Sequence, residues 1–313
     1  MTLDPQVQYV LELVEKADLP EFHSLPPAEA RALFEATAPK LDIPAEDVFR
    51  WEERWIPGPA GDIPIRVYTP RDPAGEALPI LVFYHGGGFV IGSLDSYDAI
   101  CRTLANRTDC IVVSVDYRLA PEHPFPAAVE DAFGAFQWVA ANAGELDGDA
   151  QRIAVGGDSA GGNLTAVTAI QARDAGGPTP VFQVLVYPAT GGAPETASHH
   201  AFAEGLLLTR ANILWFYAQY IGEGTDPTDP RFAPLLAGDL AGLPPALLIV
   251  AGYDPLRDEG IAYAERLRRA GVAVEFSNYE GMVHGFFSLG GAVDKGGQAI
   301  EQAAAALRRA FGG

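Results

Sequence analysis

The fold of this chain is decided by residues 152–163, which read Arg152-Ile153-Ala154-Val155-Gly156-Gly157-Asp158-Ser159-Ala160-Gly161-Gly162-Asn163. The run opens with apolar residues typical of a buried strand, and a helical pattern extends from Ala160 to Arg173. Ser159 lies between them, at the centre of a Gly-x-Ser-x-Gly motif. Glycines two positions either side of a serine permit a tight turn that lifts its hydroxyl out of a sheet, toward the positive end of the helix dipole. The stretch therefore predicts an exposed, nucleophilic serine.

A second glycine motif follows an earlier strand pattern. Residues 79–84 form another buried-strand run, which leads into His85-Gly86-Gly87-Gly88-Phe89. Glycines at such a point let backbone N–H groups approach a substrate carbonyl with no Cβ in the way, as an oxyanion hole requires. We expect this hole to consist of three N–H groups, those of Gly87, Gly88 and Ala160. Two residues are expected to support the loop, His85 and Gly86.

Two other interpretations of the glycine run are weaker. One is a mobile loop, which does not account for the strand before it or for Ser159 later in the chain. The other is a dinucleotide-binding motif, but residues 86–91 have isoleucine where the last glycine of G-x-G-x-x-G belongs.

A serine hydroxyl needs a general base, and histidine is the usual one. Position eliminates most candidates: His85 belongs to the glycine loop, His123 lies in a proline-flanked turn, and His199 and His200 lie inside a long insertion. His284 comes just after the last strand pattern, where the chain order Ser-Asp-His places the base. We predict His284 as the base.

The base in turn needs a carboxylate that fixes its tautomer. Asp254 lies where the strand pattern of residues 247–251 ends, between the serine and the histidine in chain order. Its rival is Asp258, which is better placed to open the next helix, where a carboxylate suits the helix dipole. The predicted catalytic residues are Ser159, Asp254 and His284. For Asp158, beside the nucleophile, we expect a side chain that points away and acts as a buried hydrogen-bond acceptor.

Composition limits the partners. The chain has 313 residues, 48% of them hydrophobic, and a formal net charge of −20. Nucleic acids and anionic membranes repel so acidic a protein, so a small molecule is the expected ligand. The cysteines, Cys101 and Cys110, lack metal-site spacing, and we expect Cys110 to be a buried, reduced thiol. We expect no metal and no organic cofactor.

The beginning of the chain does not resemble a targeting signal. Residues 1–16 have the apolar spacing of an amphipathic helix and carry acidic residues, whereas a signal peptide begins with positive charge. No apolar run approaches the roughly 18 residues of a membrane span. These features predict a soluble, cytoplasmic protein.

The order of elements along the chain predicts the α/β class. Strand patterns occur at Glu52–Pro57, Ile63–Tyr68, Ile80–Tyr84, Ile111–Asp116, Arg152–Gly156, Val181–Tyr187, Ala246–Ala251 and Val272–Tyr279. Helical patterns occur at Tyr97–Thr108, Pro126–Asn142, Ala160–Arg173, Arg257–Ala270 and Gly297–Phe311. Alternation of this kind indicates a mostly parallel sheet covered by helices on both faces, with its ligand site at the carboxyl ends of the strands.

One long interval breaks the alternation. Roughly 55 residues separate Tyr187 from the next strand, more than one crossover needs, and Thr209 can cap an aromatic-rich helix within it. We expect residues 189–225 to form, with helices of residues 1–50, a cap over the site; the alternative is a helix packed only on the body. The catalytic domain then comprises residues 51–188 and 226–313.

The motifs together resemble the hormone-sensitive-lipase-like branch of bacterial carboxylesterases, also called family IV, in the α/β-hydrolase superfamily. The resemblance rests on residues 85–89, 116–126, 157–163, 254–256 and 284–286, and it spans nearly the whole chain. It implies an eight-stranded sheet with an antiparallel second strand, a helical cap and a structural role for residues 116–126. It also implies short- to medium-chain acyl ester substrates and homodimerisation through the last strand.

The expected activity is therefore hydrolysis of carboxylic esters through an acyl-enzyme intermediate. An amidase or peptidase is the nearest alternative, because the same three residues cleave amides. A non-catalytic ligand receptor on the same scaffold is a second alternative, although such receptors lose a catalytic residue and this chain keeps all three candidates. A true lipase is less favoured, since the sequence shows no interfacial lid.

Overall fold

A single eight-stranded sheet forms the centre of the computed structural model, which describes residues 2–222 and 225–312. The strands are β1 (Arg50–Gly58), β2 (Gly61–Thr69), β3 (Leu78–Tyr84), β4 (Ile111–Val115), β5 (Gly148–Asp158), β6 (Gln183–Val186), β7 (Ala246–Tyr253) and β8 (Val274–Val283). Each corresponds to one predicted strand. β3 and β4 are buried at every position, as expected for strands covered on both faces.

The strand order is β1-β2-β4-β3-β5-β6-β7-β8. β2 pairs antiparallel with both β1 and β4, and every pair from β4 to β8 is parallel. This confirms the predicted mostly parallel sheet with an antiparallel second strand. Because the parallel strands point the same way, the residues that follow β3, β5, β7 and β8 meet at one edge.

The helices are α1 (Pro5–Ala17), α2 (Pro27–Thr37), α3 (Asp98–Thr108), α4 (Ala127–Asn142), α5 (Ala160–Asp174), α6 (Ala197–Ala201), α7 (Arg210–Ile221), α8 (Arg257–Arg269) and α9 (Asp294–Ala310). α9 begins three residues before the predicted start at Gly297, and the other long helices agree with the prediction to within about one residue. Thr209 caps α7 as predicted, accepting a hydrogen bond from the Asn212 N–H.

Apolar side chains fill both sides of the sheet. On one side, the core includes residues of α4 and α5, and on the other it includes residues of α3 and α9. A third cluster joins α8 to β7. Both cysteines are buried and unbridged. This packing makes the sheet a rigid platform for the loops at its carboxyl edge.

The N-terminal segment and the insertion after β6 contact each other. The rings of Phe22 and Phe216 lie 6.3 Å apart, and the His23 N–H donates to Asn212 Oδ1 at 3.1 Å. Glu223 and Gly224 of the expected cap insertion, like Met1 and Gly313 at the ends of the expected domains, lie outside the described residues. Over the described ranges, the structure contains no helix long and apolar enough to cross a membrane.

Candidate active site

Ser159 occupies the sharp turn between β5 and α5. Its backbone has φ 56° and ψ −116°, in a region that non-glycine residues rarely adopt. Gly161 is needed beside it, because a Cβ there would collide with the backbone oxygens of Tyr84 and His85 at the end of β3. The turn is anchored by the Ser159 N–H, which donates to the Val186 carbonyl at 2.8 Å. The strained turn and its glycines therefore hold the hydroxyl above the sheet edge.

The three predicted catalytic side chains are brought together. His284 follows β8, and its Nε2 lies 2.9 Å from Ser159 Oγ. Its Nδ1 lies 2.8 Å from Asp254 Oδ2, at the end of β7. The side chain of Asp254 is fully buried and that of His284 is 11% exposed. With Nδ1 protonated, the ring donates to the carboxylate and presents an unprotonated Nε2 to the serine, which is the arrangement a general base needs.

The other carboxylate considered, Asp258, is directed elsewhere. Its Oδ2 accepts from the Ser198 N–H at 2.9 Å, and its Oδ1 lies 3.0 Å from Arg257 Nε. It lies in the first turn of α8, as predicted. Asp254 instead accepts the Leu256 N–H at 2.8 Å with the oxygen that His284 does not use, so its orientation is fixed.

The loop after β3 has the backbone shape that its glycines allow. Gly87 has φ 113° and Gly88 φ 59°, both in the region that favours glycine. A Cβ on Gly87 would collide with the Ile91 carbonyl, and one on Gly88 would lie 2.8 Å from Phe216 Cδ2. Three neighbouring N–H groups, those of Gly87, Gly88 and Ala160, donate to no acceptor among the described residues. They are the groups predicted to bind an oxyanion.

His85 is packed inside the loop. Its ring stacks on Tyr117 with centroids 4.3 Å apart, and its Nδ1 lies 2.7 Å from the Gly86 carbonyl. Complete burial lowers the pKa of His85 to about 4, so the ring is neutral at pH 7 and Nδ1–H donates to that carbonyl. The ring is therefore enclosed between the loop backbone and Tyr117.

Aromatic residues of α7 and of the N-terminal segment lie beside the glycine loop. Phe216 of α7 is directly against Gly88, and Phe22 lies between Phe216 and Phe34 of α2 at centroid distances of 6.3 Å. We call these three residues the aromatic cap cluster. α7 therefore contacts both the glycine loop and the N-terminal segment.

None of the remaining described histidines hydrogen-bonds to Ser159 Oγ. His199 is buried with Nδ1 2.6 Å from Thr196 Oγ1, His200 is exposed beside Glu195, and His123 lies in the loop before α4. The elimination by position did not include His23. Its Nδ1 lies 3.0 Å from Asn212 Oδ1 of α7. Among the described residues no cluster of three histidine, cysteine or acidic side chains is arranged to ligate a metal.

Sequence reasoning missed a buried pair beside the acid loop. Glu259 of α8 and His199 of α6 are both fully buried, with Oε2 and Nε2 3.7 Å apart. Glu259 Oε1 accepts the N–H groups of Thr190 and Gly191, at 2.5 and 3.1 Å. A glutamate in the first turn of a helix is typical of an exposed N-terminus, so only the packing of the insertion on α8 identifies it as buried. The pair joins the loop after β6 to the helix that follows Asp254.

Glu259→Gln is expected to change how stability depends on pH. Burial raises the pKa of Glu259 from 4.5 to about 8. Between these values the native state keeps a proton that the unfolded state has released, so the free energy of unfolding falls as pH rises through that interval. Glutamine keeps the acceptor oxygen and does not titrate. The Tm of the variant minus that of the wild type should therefore increase from pH 5 to pH 9.

Glu265→Gln on the same helix is the matched control, because Glu265 is 54% exposed. Its Tm difference should stay constant between the two pH values. A Glu259→Gln difference that is constant or decreases toward pH 9 would contradict a raised pKa of the buried Glu259 carboxyl.

Comparisons with known proteins agree with this geometry. A family model described as alpha/beta hydrolase fold matches residues 81–288. The chain is 48% identical over 308 residues to carboxylic ester hydrolase LipN of Mycobacterium tuberculosis (strain ATCC 25618 / H37Rv), covering 93% of this chain and 79% of the relative. It is 37% identical over 317 residues to the ethyl acetate hydrolase of Pseudomonas putida, covering 99% of each.

Solved structures give the same result. The ester-hydrolase EH1AB1 from the metagenome of Lake Arreo, complexed with a derivative of bipyridine phosphonate, is 46% identical, with a TM-score of 0.97 and complete coverage of both chains. The hyperthermophilic esterase from Pyrobaculum calidifontis is 44% identical, with a TM-score of 0.93 and 99% coverage of each. On its motifs, fold and relatives, the chain belongs to the alpha/beta hydrolase fold family, in the hormone-sensitive-lipase-like branch.

Proposed function

We propose that this protein hydrolyses short- to medium-chain acyl esters through an acyl-enzyme formed on Ser159. The observation that carries the proposal is the continuous contact from Ser159 Oγ through the His284 ring to Asp254, beside three unpaired N–H groups. Ser159 and His284 supply a nucleophile and its base, and the N–H groups supply a site for negative charge. The chain is a carboxylic ester hydrolase, as its relatives are. Their similarity supports an ester as the substrate.

In the acylation step, Ser159 Oγ forms a bond to the ester carbonyl carbon while His284 Nε2 takes the hydroxyl proton. The carbonyl π electrons move to its oxygen, which the N–H groups of Gly87, Gly88 and Ala160 hold as an oxyanion. Asp254 stabilises the imidazolium that forms. The oxyanion then collapses, the bond to the alkoxy oxygen breaks, and His284 returns the proton to the leaving alcohol.

Deacylation repeats the sequence with water. His284 takes a proton from water as its oxygen attacks the acyl carbon, and the oxyanion forms again in the same site. Collapse breaks the bond to Ser159 Oγ, which recovers its proton from the imidazolium. The products are one carboxylic acid and one alcohol, and the enzyme returns to its starting state.

We assign the limit on acyl length to the aromatic cap cluster. Phe216 presses on Gly88 beside the oxyanion donors, and Phe22 packs behind it. Bulky rings beside the glycine loop would limit the length of an acyl chain held there, so long acyl chains should fit poorly. Residues 1–50 and 189–225 would act as the cap in this proposal.

The test is a series of p-nitrophenyl esters from acetate to palmitate, with a p-nitroanilide matched to the best ester. We expect kcat/KM to peak at short to medium chains, fall toward palmitate, and be far higher for the ester than for the anilide. An anilide rate equal to the ester rate would favour an amidase, and a maximum at palmitate would contradict the assignment of the cap cluster.

We also propose that two copies associate through β8. Among the strands that the structure describes, β8 forms one edge of the sheet and pairs only with β7, so its other side offers backbone donors and acceptors to a second copy. The family resemblance supports the same interface. Sedimentation equilibrium would give the mass of a dimer, and the mass of one chain would contradict it.

A further inference from the structure

A buried carboxylate lies between the two glycine motifs. Asp158 is 3% exposed and immediately precedes Ser159. Its Oδ1 accepts the N–H of Gly86 in the loop after β3, at 3.0 Å. Its Oδ2 accepts the hydroxyl of Tyr97 at 3.0 Å, and the Tyr187 hydroxyl lies at 3.4 Å. One side chain therefore joins the turn that carries the nucleophile to the loop that carries the oxyanion donors.

The absence of a side chain on Gly86 makes this contact geometrically feasible. A Cβ at Gly86 would lie 2.6 Å from Asp158 Oδ2 and 2.7 Å from the Tyr97 hydroxyl oxygen. Such distances are well inside van der Waals contact, so the loop approaches the carboxylate closely only because this position is glycine. Gly87 and Gly88, with their free N–H groups, follow directly.

The Asp158 carboxyl faces hydrogen-bond donors: the hydroxyls of Tyr97 and Tyr187 and the N–H of Gly86. The ring of His284 and the carboxyl of Asp42 act on it through space. No lysine or arginine hydrogen-bonds to Asp158 among the residues that the structure describes. Burial raises the pKa of Asp158 to about 6, so the group is ionised at pH 8. A hydrogen bond from Gly86 to an ionised acceptor is stronger than one to a neutral acceptor.

We propose that Asp158 is a positioning residue, which fixes the distance between Ser159 and the N–H groups of Gly87 and Gly88 by holding Gly86. The inference rests on the proposed function, since it assigns those N–H groups to the oxyanion. Such donors act at about 2.7–3.1 Å from the developing charge, so a small displacement of the loop weakens them in the transition state more than in the bound ester. Loss of Asp158 should therefore lower kcat and leave KM nearly unchanged.

Asp158→Ala and Asp158→Asn test this at pH 8 with p-nitrophenyl butyrate. Alanine removes the acceptor, and we expect kcat to fall about 10- to 100-fold, somewhat less than deletion of an oxyanion donor. Asparagine keeps an acceptor oxygen and loses the charge, so its kcat should fall about 3- to 10-fold. KM should stay within about 2-fold of the wild type in both, because the ground-state ester does not carry the oxyanion charge.

The second readout is the inhibition constant of an alkyl trifluoromethyl ketone. Ser159 Oγ adds to its carbonyl carbon, His284 takes the proton, and the ketone oxygen becomes an oxyanion that the same N–H groups hold. The affinity for this ketone should fall by the factor by which kcat falls. Asp131→Asn is the matched control: Asp131 is 2% exposed and bonds to Arg118 on the α4 side, so this change should lower Tm and leave kcat at the wild-type value.

The outcomes are distinct. Asp158 variants that lose Tm but keep wild-type kcat and ketone affinity would overturn the inference. If Asp158→Ala does not fold, the kcat and the ketone affinity of Asp158→Asn test the inference instead. A wild-type protein that neither hydrolyses the ester nor binds the ketone would contradict the proposed function, and this inference with it. A wild-type protein that does both, with Asp158 variants that match it, would contradict the inference alone.

Discussion

Ser159→Ala is expected to lower kcat for p-nitrophenyl butyrate by about 10⁴- to 10⁶-fold, the scale on which removal of a catalytic serine acts in serine hydrolases. The reason is the loss of the atom that forms the covalent bond, since water must then attack the ester directly. The three N–H groups and the aromatic residues around the loop remain, so binding of the ester should survive. A residual rate above the uncatalysed reaction is expected from the oxyanion site alone.

Ser114→Ala is the matched control for this change. Ser114 is fully buried in β4, so its replacement removes a hydroxyl from the sheet without touching the turn at Ser159. Its kcat should remain at the wild-type value. A Ser159→Ala protein with a wild-type circular dichroism spectrum and undiminished esterase activity would refute the assignment of the nucleophile.

Asp254→Asn is expected to lower kcat by about 10⁴-fold. The carboxylate accepts the Nδ1–H of His284 at 2.8 Å, which leaves Nε2 free for the Ser159 proton. An asparagine side chain can present its NH₂ to Nδ1 instead, which favours the tautomer protonated at Nε2 and removes the base. The loss should be greatest near neutral pH and should partly recover at high pH, where hydroxide assists the serine.

Asp258→Asn separates this role from the general effect of removing a charge nearby. Asp258 lies four residues after Asp254, and its carboxylate accepts the N–H of Ser198 in α6 instead of contacting His284. We expect its kcat to change by less than about 3-fold, with any loss confined to Tm, as is usual for a single cap. Equal losses of kcat in the two variants would mean that the acid had been assigned to the wrong carboxylate or to neither.

Strands and helices with continuous apolar patterns were predictable from the sequence, because burial on both faces of a sheet demands such runs. The residues at which these strands and helices end were less predictable. β8 extends to Val283, past the predicted end at Tyr279, although Glu280 and Gly281 interrupt the apolar pattern. That extension pairs with β7 across an irregularity in register, which tertiary packing sets. α9 begins at Asp294 because packing overrides the low helix propensity of Gly296 and Gly297.

The meeting of the three candidate catalytic side chains was predictable for a different reason. Ser159, Asp254 and His284 each lie within five residues of the end of a predicted strand, and parallel strands bring their carboxyl ends to one edge. The supporting groups lack this local signal. Tyr97 and Tyr187 become partners of Asp158 only when α3 and the loop after β6 fold over it, and Glu259 reads as a surface residue until the insertion buries it. Burial of polar groups depends on contacts between distant segments, which no local pattern encodes.

The central claim is that Ser159 Oγ is the atom that attacks the substrate, and covalent labelling measures this most directly. When a nucleophilic serine attacks the phosphorus of a p-nitrophenyl alkylphosphonate, p-nitrophenol leaves. The phosphonate group stays attached to the serine oxygen. We predict one phosphonate per chain, complete loss of esterase activity, and the added mass on the peptide that contains Ser159. Ser159→Ala should take up no label. A label on another residue, or full inactivation of the Ser159→Ala protein's residual activity with one phosphonate bound, would contradict the account.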